Sequence, residues 1–309
     1  MRLQNLVLLP FFVYSASAGL IPKSVLEARN QIWDAIVELR LTGNPPNDFA
    51  CRSKVHPNPV FLIHALSANP GIDLNLLQDD MKKKGYCTYT STYGAHTLMP
   101  WIGGLTSMQS SVKDLTADIL SVLAKTGASK IDLVGHSEGG VMSLYAPLKS
   151  PQLASKVERI VALGPAMHGA QYFGLTNLFY KDGQFSRDIA KGVLDFLGCP
   201  ACDDMATGGA VFKELAAASQ KYNGKPGSGI APAGAKTTII MSRSDTLVAP
   251  KTSIVNETGV NNIFVQDFCP DDPVGHGGLA WDDSVWSLVY NALEENPKGP
   301  IKCGKGLRF

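Results

Sequence analysis

Residues 131–140 read Ile131-Asp132-Leu133-Val134-Gly135-His136-Ser137-Glu138-Gly139-Gly140. An apolar, β-branched run enters a cluster of small residues, and residues 138–148 go on with helical spacing. The pattern is G-x-S-x-G between a strand and a helix, the context in which it has a physical meaning. A tight strand-to-helix turn holds the serine in a strained backbone conformation. Glycines two before and two after let the chain segments pass closely, and Oγ is pushed into the open. The helix that follows aims its amides and positive end at the place where an oxyanion would develop.

A serine needs a base to attack a carbonyl at neutral pH. On such a scaffold the partners follow in the chain order acid, then His. Of six His, only His168 and His276 come after Ser137. His168 follows the strand ending at Leu163, too early to leave room for a strand that bears the acid; a structural hydrogen-bonding role is expected for it. His276 lies in Gly275-His276-Gly277-Gly278, after the last strand pattern and before the last helix. It is the candidate general base. Asp245 follows Thr237-Thr238-Ile239-Ile240-Met241, in the turn Ser242-Arg243-Ser244-Asp245. It is the candidate acid that holds the His tautomer. Asp267, Asp271 and Asp272 are its rivals, read otherwise as solvated loop carboxylates. The oxyanion hole needs two backbone amides. Glu138, next after the nucleophile, is one candidate. Leu66, in the loop His64-Ala65-Leu66-Ser67, is the other.

Working outward, strand and helix patterns alternate. Val60–Ile63 reads as a buried strand. Leu74–Lys84 reads as a helix ended by Gly85, Tyr86–Thr92 as a strand, and Val112–Lys125 as a helix stopped at Gly127. Val157–Leu163, Thr237–Met241 and Asn262–Gln266 are strands, and a helix lies near Asp282–Leu293. The alternation predicts an α/β fold, a mostly parallel sheet with helices on both faces. It lapses between Gly164 and Ala235, and residues 165–235 are read as a cap- or lid-like insertion. Residues 24–41 look helical, within an N-terminal helical segment spanning 21–45.

Arg2 is the only charge among residues 1–18, followed by an apolar run from Leu6 to Tyr14 and Ser15-Ala16-Ser17-Ala18. This reads as a secretory signal cut after Ala18. The expected organisation is a signal peptide over 1–18 and a single domain over 19–309. The 309 residues are 45% hydrophobic and 18% charged, a globular composition that excludes disordered, collagenous, coiled-coil and polytopic membrane classes. No later apolar run approaches spanning length. With 28 Lys+Arg against 27 Asp+Glu, no strongly basic face for nucleic acid is expected. Asn256-Glu257-Thr258 is a glycosylation sequon.

These stretches together resemble the secreted bacterial and fungal lipases of class 2, which have the α/β-hydrolase fold. The resemblance is carried by Pro59 to Asn69 with His64, Gly85-Tyr86-Cys87, Lys130 to Gly140, Gly169 after His168, Ser244 to Pro250 around Asp245, and Asp267 to Leu293 around His276. It covers roughly residues 50 to 293. It implies a carboxylic ester hydrolase acting on acylglycerols or similar lipid esters, and supports Ser137, Asp245 and His276 as the triad with Leu66 and Glu138 as oxyanion donors. Two departures stand out. His64 is followed by Ala65 where the family usually has Gly, and Glu138 stands where Gln is frequent.

The mechanism so read calls for no metal or organic cofactor, and no metal-ligand spacing appears. The expected partner is a lipid or other ester, met at a lipid–water interface, with no transmembrane segment. Met99, Trp101, Met108, Met167, Tyr172, Phe173 and Phe179 are candidates for an acyl groove and cover, or else for packing of the insertion. The alternatives with the same triad are a short-chain, feruloyl-type, polyester or cutin-type esterase, or an acyltransferase. A non-catalytic binding protein on a hydrolase fold is the remote alternative. Cys199-Pro200-Ala201-Cys202 also fits a redox pair, against which stand the export signal and the lack of an adjoining strand and helix. Three structural bridges suit six Cys. Cys51–Cys87, Cys199–Cys202 and Cys269–Cys303 are the first choice among 15 connectivities.

Overall fold

The computed structural model describes residues 47–95, 100–169, 199–206 and 208–308. The signal segment, the N-terminal helical segment, Met99, Tyr172, Phe173, Phe179 and much of the 165–235 insertion lie outside them. Among the described residues six strands form one sheet in the order β2-β1-β3-β4-β5-β6. They are β1 (Val60–Ile63), β2 (Thr88–Thr90), β3 (Ile131–His136), β4 (Val157–Leu163), β5 (Lys236–Met241) and β6 (Val260–Phe264). Every pairing is parallel, with Ile63 opposite Gly135 and His136 opposite Leu163. All strand C-termini therefore share one edge, where ligands bind in open α/β sheets.

The strands are apolar on both faces because both faces are covered. Phe61, Ile63, Leu133, Ile160, Ala162, Ile239 and Met241 point to one side. They pack there against the helices α2 (Met108–Thr126), α3 (Glu138–Lys149) and α4 (Ala210–Lys221). Val60, Leu62, Val134, Val161, Leu163 and Ile240 face the other side, against α1 (Asn75–Lys83) and α5 (Asp283–Leu293). Each helix presents an apolar stripe at helical spacing, such as Val112, Leu115, Ile119, Val122 and Leu123 in α2.

The element boundaries shift by a few residues from the pattern reading. The second strand shrinks to Thr88–Thr90, and α2 begins four residues earlier, at Met108. Part of the stretch read as insertion is a core element. Val211, Phe212, Leu215 and Ala218 of α4 are buried in the same cluster as the sheet. Met108 and Met167 also belong to this core, whereas Trp101 is 55% exposed.

Three disulfides join Cys51–Cys87, Cys199–Cys202 and Cys269–Cys303. The middle pair is carried by a short helix, Pro200–Asp204, where no helix is expected from the pattern. Among the described residues no helix is long and apolar enough to cross a membrane.

Candidate active site

The turn between β3 and α3 has the geometry its composition demands. Ser137 sits at φ 55°, ψ −117°, a conformation L-residues rarely adopt. Its amide donates to Leu163 O at 2.8 Å, locking the turn to β4. A Cβ on Gly135 would stand 2.1 Å from Gly139 O, and one on Gly139 would stand 2.1 Å from Ile63 O. Neither position admits a side chain, so the backbones of β1, β3 and α3 touch there.

Ser137 Oγ lies 2.8 Å from His276 Nε2, and His276 Nδ1 lies 2.6 Å from Asp245 Oδ2. All three residues are buried. Asp245 is an acceptor, so Nδ1 carries the proton and Nε2 is left to accept from the serine. Asp245 Oδ1 accepts the amides of Leu247 at 2.9 Å and Val248 at 2.8 Å. The turn after β5 thus fixes the carboxylate before it meets the imidazole. The structure brings Ser137, Asp245 and His276 into one file and leaves the rivals out of it. Asp267 is exposed and pairs with Arg243. Asp271 is exposed. Asp272 is not the solvated carboxylate its run implies. It is buried, accepting from Ser284 Oγ and from the amides of Val274 and Gly306. It holds the strap 303–308 behind the His276 loop, where Gly275 N also donates to Leu307 O. His168 Nε2 donates to Ile254 O at 2.9 Å, away from the file.

Leu66 and Glu138 come together at Gly104. A Cβ on Gly104 would lie 3.0 Å from Leu66 Cα and 3.1 Å from Glu138 Oε2. The Glu138 amide, first in its helix, has no intrahelical acceptor. The Leu66 amide has no acceptor among the described residues. Ser67 next to it is held at φ 56°. The Glu138 side chain is fully buried, and among the described residues its carboxyl oxygens make no well-formed hydrogen bond, the Tyr93 hydroxyl lying close enough to act on them. Burial outweighs the Tyr93 hydroxyl and, with Asp204 opposing ionisation, holds the Glu138 carboxyl well above the usual range. The same burial disfavours a charge beside a developing oxyanion. His64 is buried against Tyr93, ring centroids 4.5 Å apart, and donates from Nδ1 to Ala65 O at 2.8 Å. Burial lowers its pKa to about 4.

One pair of residues has no signal in the sequence. His136 Nδ1 meets Asp73 Oδ1 at 2.9 Å, and both side chains are buried. His136 occupies the freely variable position of the serine motif, and Asp73 lies in an ordinary loop. No spacing rule connects them.

A family model described as Lipase (class 2) matches residues 57–168, a narrower span than the motifs imply. The chain is 29% identical over 116 residues to a triacylglycerol lipase of Vibrio cholerae, covering 38% of this chain and 36% of that protein. It is 32% identical over 113 residues to a triacylglycerol lipase of Pseudarthrobacter phenanthrenivorans, covering 33% and 32%. The matched segment thus spans about a third of the length of these curated relatives. Among solved structures, Aspergillus fumigatus lipase B is similar at a TM-score of 0.59 and 17% identity, over 84% of this chain and 56% of that one. A soluble variant of Saccharomyces cerevisiae monoglyceride lipase is similar at 0.52 and 17% identity, over 79% and 88%. The fold they share is that of the α/β-hydrolases.

Proposed function

We propose that the chain, whose residues 57–168 match the class 2 lipase model, is a serine carboxylic-ester hydrolase, a lipase acting on acylglycerols. The observation that carries this reading is the buried file from Ser137 Oγ through His276 to Asp245, set at a strained strand-to-helix turn. The geometry supports an acyl-enzyme route. Ser137 attacks the ester carbonyl as His276 Nε2 takes its proton, and Asp245 stabilises the imidazolium that results. The tetrahedral oxyanion rests on the amides of Leu66 and Glu138. His276 returns the proton to the leaving alcohol, and water then hydrolyses the acyl-enzyme with the roles reversed.

The lipid half of the reading rests on what the curated relatives are named for, together with the class 2 lipase model that matches residues 57–168. Export rests on the apolar, small-residue pattern of residues 1–18 and on three disulfides, which persist in oxidising compartments. The test is a panel of soluble esters of increasing acyl length beside emulsified long-chain triacylglycerols, with Ser137→Ala as control. Hydrolysis of the emulsions, absent from the control, is expected. Turnover confined to short soluble esters overturns the lipase assignment, and no turnover of any ester overturns the hydrolase.

A further inference from the structure

Behind the file of Ser137, His276 and Asp245 lies a second buried Asp–His pair that the ester hydrolysis just described does not use. Asp73 Oδ1 stands 2.9 Å from His136 Nδ1, and Asp73 Oδ2 accepts the Ala65 amide at 2.7 Å. On the far side of the ring, His136 Nε2 donates to the backbone carbonyl of His276 at 3.0 Å. The His136 and His276 rings are 5.2 Å apart and tilted by 37°. Three loops are therefore tied at one imidazole. They are the loop after β1 that offers Leu66, the turn that bears Ser137, and the loop that bears His276.

The chemistry of the ring decides its state. A carbonyl oxygen only accepts, so Nε2 must carry a proton. The carboxylate of Asp73, already accepting from Ala65, takes a second proton donor at Nδ1. Both nitrogens then donate and His136 is an imidazolium. Asp73 and its hydrogen bond hold the His136 pKa above the usual range against burial, and the same partners hold Asp73 below the carboxylate range. The charged and titratable groups around this ring are Asp73, His64, His276 and Asp245. A buried ion pair of this kind adds little stability over an apolar pair of the same shape. Its value lies in geometry. The Nε2–H of His136 grips the one peptide carbonyl whose position sets the backbone of the general base.

We infer that His136, held by Asp73, is a positioning residue that fixes the backbone of His276 relative to Ser137 and to the loop of Leu66. This rests on the hydrolase reading above. The test separates grip from packing through two variants with opposite losses. In His136→Gln an amide NH₂ replaces Nε2 and still reaches the His276 carbonyl, while Asp73 loses its partner. In His136→Asn an amide NH₂ replaces Nδ1 and still pairs with Asp73, while the His276 carbonyl is released.

Turnover per active site, titrated with a serine-reactive phosphonate, is measured beside urea unfolding. If His136 positions His276, the Gln variant is the less stable yet keeps the higher kcat. The Asn variant is the more stable and loses about 10- to 100-fold in kcat, with KM within twofold, the scale of a slightly misplaced catalytic group. A kcat order that follows the stability order overturns the inference, as does kcat within twofold of the parent in both. Nitrogen-15 NMR of the unmodified protein, labelled at His, covers the case in which neither variant folds. A His136 Nε2 that carries its proton is expected, and a His136 Nε2 without a proton overturns the inference. Absence of any ester turnover in the unmodified protein is instead a failure of the hydrolase reading.

Discussion

Ser137 Oγ lies 2.8 Å from His276 Nε2 although 139 positions of sequence separate the two residues. Asp245 comes at the file from a third element, the turn after β5. Removing a member of a cooperating set costs nearly as much as removing all of them. Ser137→Ala and His276→Ala are each expected to lower kcat on the order of 10⁶-fold. Asp245→Asn is expected to cost less, on the order of 10⁴. Its Oδ1 still accepts the amides of Leu247 and Val248, but Nδ2 then faces the Nδ1–H of His276 and forces the wrong tautomer. Hydrolysis of a soluble chromogenic ester by folded, purified variants checks this order, and equal losses in all three would contradict it.

Gly164 supports that hydrogen bond from below. It sits at φ +51°, where a Cβ would meet Leu279 Cδ1 at 2.8 Å, His276 Nδ1 at 3.3 Å and Asp245 Oδ2 at 3.4 Å. Gly164→Ala costs about 1–2 kcal/mol in backbone strain alone. The added methyl also pushes the His276–Asp245 pair, and a displacement near 1 Å is worth about 100-fold in rate. A fall in kcat of about 10- to 100-fold is expected with a modest drop in melting temperature. Full activity in a destabilised variant would show that the pair tolerates the methyl.

What was legible in the sequence was local. The serine turn is written in ten consecutive residues, because small residues are the only ones that fit where Gly139 passes Ile63 O. The six parallel strands were legible because strands covered on both faces read as short apolar runs. His276 and Asp245 could be singled out by chain order, since few residues of the right type follow Ser137. The direction in which a loop carboxylate turns was not legible. Asp73 and Asp272 turn inward to partners 63 and 12 residues away, and nothing in their neighbours differs from a solvated Asp. Helix α4 was missed for the opposite reason. Val211, Phe212, Leu215 and Ala218 do carry a helical period, but it stands between the aromatic segment 172–185 and the Gly-rich segment 224–229, and a helical period alone does not say that the helix packs on the sheet.

The C-terminal strap makes a separate prediction. Cys269–Cys303 closes a loop over 34 positions and holds residues 303–308, whose Leu307 O accepts the Gly275 amide beside His276. Loop-closure entropy for a loop of this size is worth about 4 kcal/mol. A Cys269→Ser/Cys303→Ser variant is expected to lose roughly 10 °C in Tm. It is also expected to lose activity below its unfolding transition, because the strap backs the His276 loop. Calorimetry beside turnover at 25 °C decides it, and unchanged turnover would mean that Asp272 alone holds the loop.

Acid should unfold the protein in part through His64. Its pKa falls from 6.5 to about 4 on folding, by burial. Between these values the unfolded chain binds a proton that the native chain refuses, so stability falls as pH drops from 6.5 towards 4. The stability lost by pH 4 is about 3 kcal/mol, from 1.36 kcal/mol per pH unit. His64→Asn removes the titration while its amide still donates to the Ala65 carbonyl. Its unfolding free energy is expected to be lower at pH 7, through lost contact with Tyr93, and to vary less between pH 6.5 and 4.5. Parallel slopes for the two proteins in urea titrations would show that the ring does not carry the acid limb.

Glu138 works in the opposite direction. Its carboxyl is fully buried and holds its proton well above the usual range, whereas in the unfolded chain it ionises near 4.5. Above pH 4.5 the native state therefore binds a proton that the unfolded state has lost, and stability falls as pH rises, by up to 1.36 kcal/mol per pH unit. Glu138→Gln keeps the shape, removes the titration and leaves the amide at 138 in place. The variant is expected to gain stability over the parent as pH rises above 4.5. Its kcat is expected to stay within about threefold, because only the backbone of residue 138 faces the oxyanion. Urea unfolding at four pH values with turnover at each provides the check. A variant less stable at pH 8 than at pH 5, relative to the parent, would mean that the native carboxyl is ionised and paired. A large loss of kcat would mean that the Glu138 side chain itself takes part in the reaction.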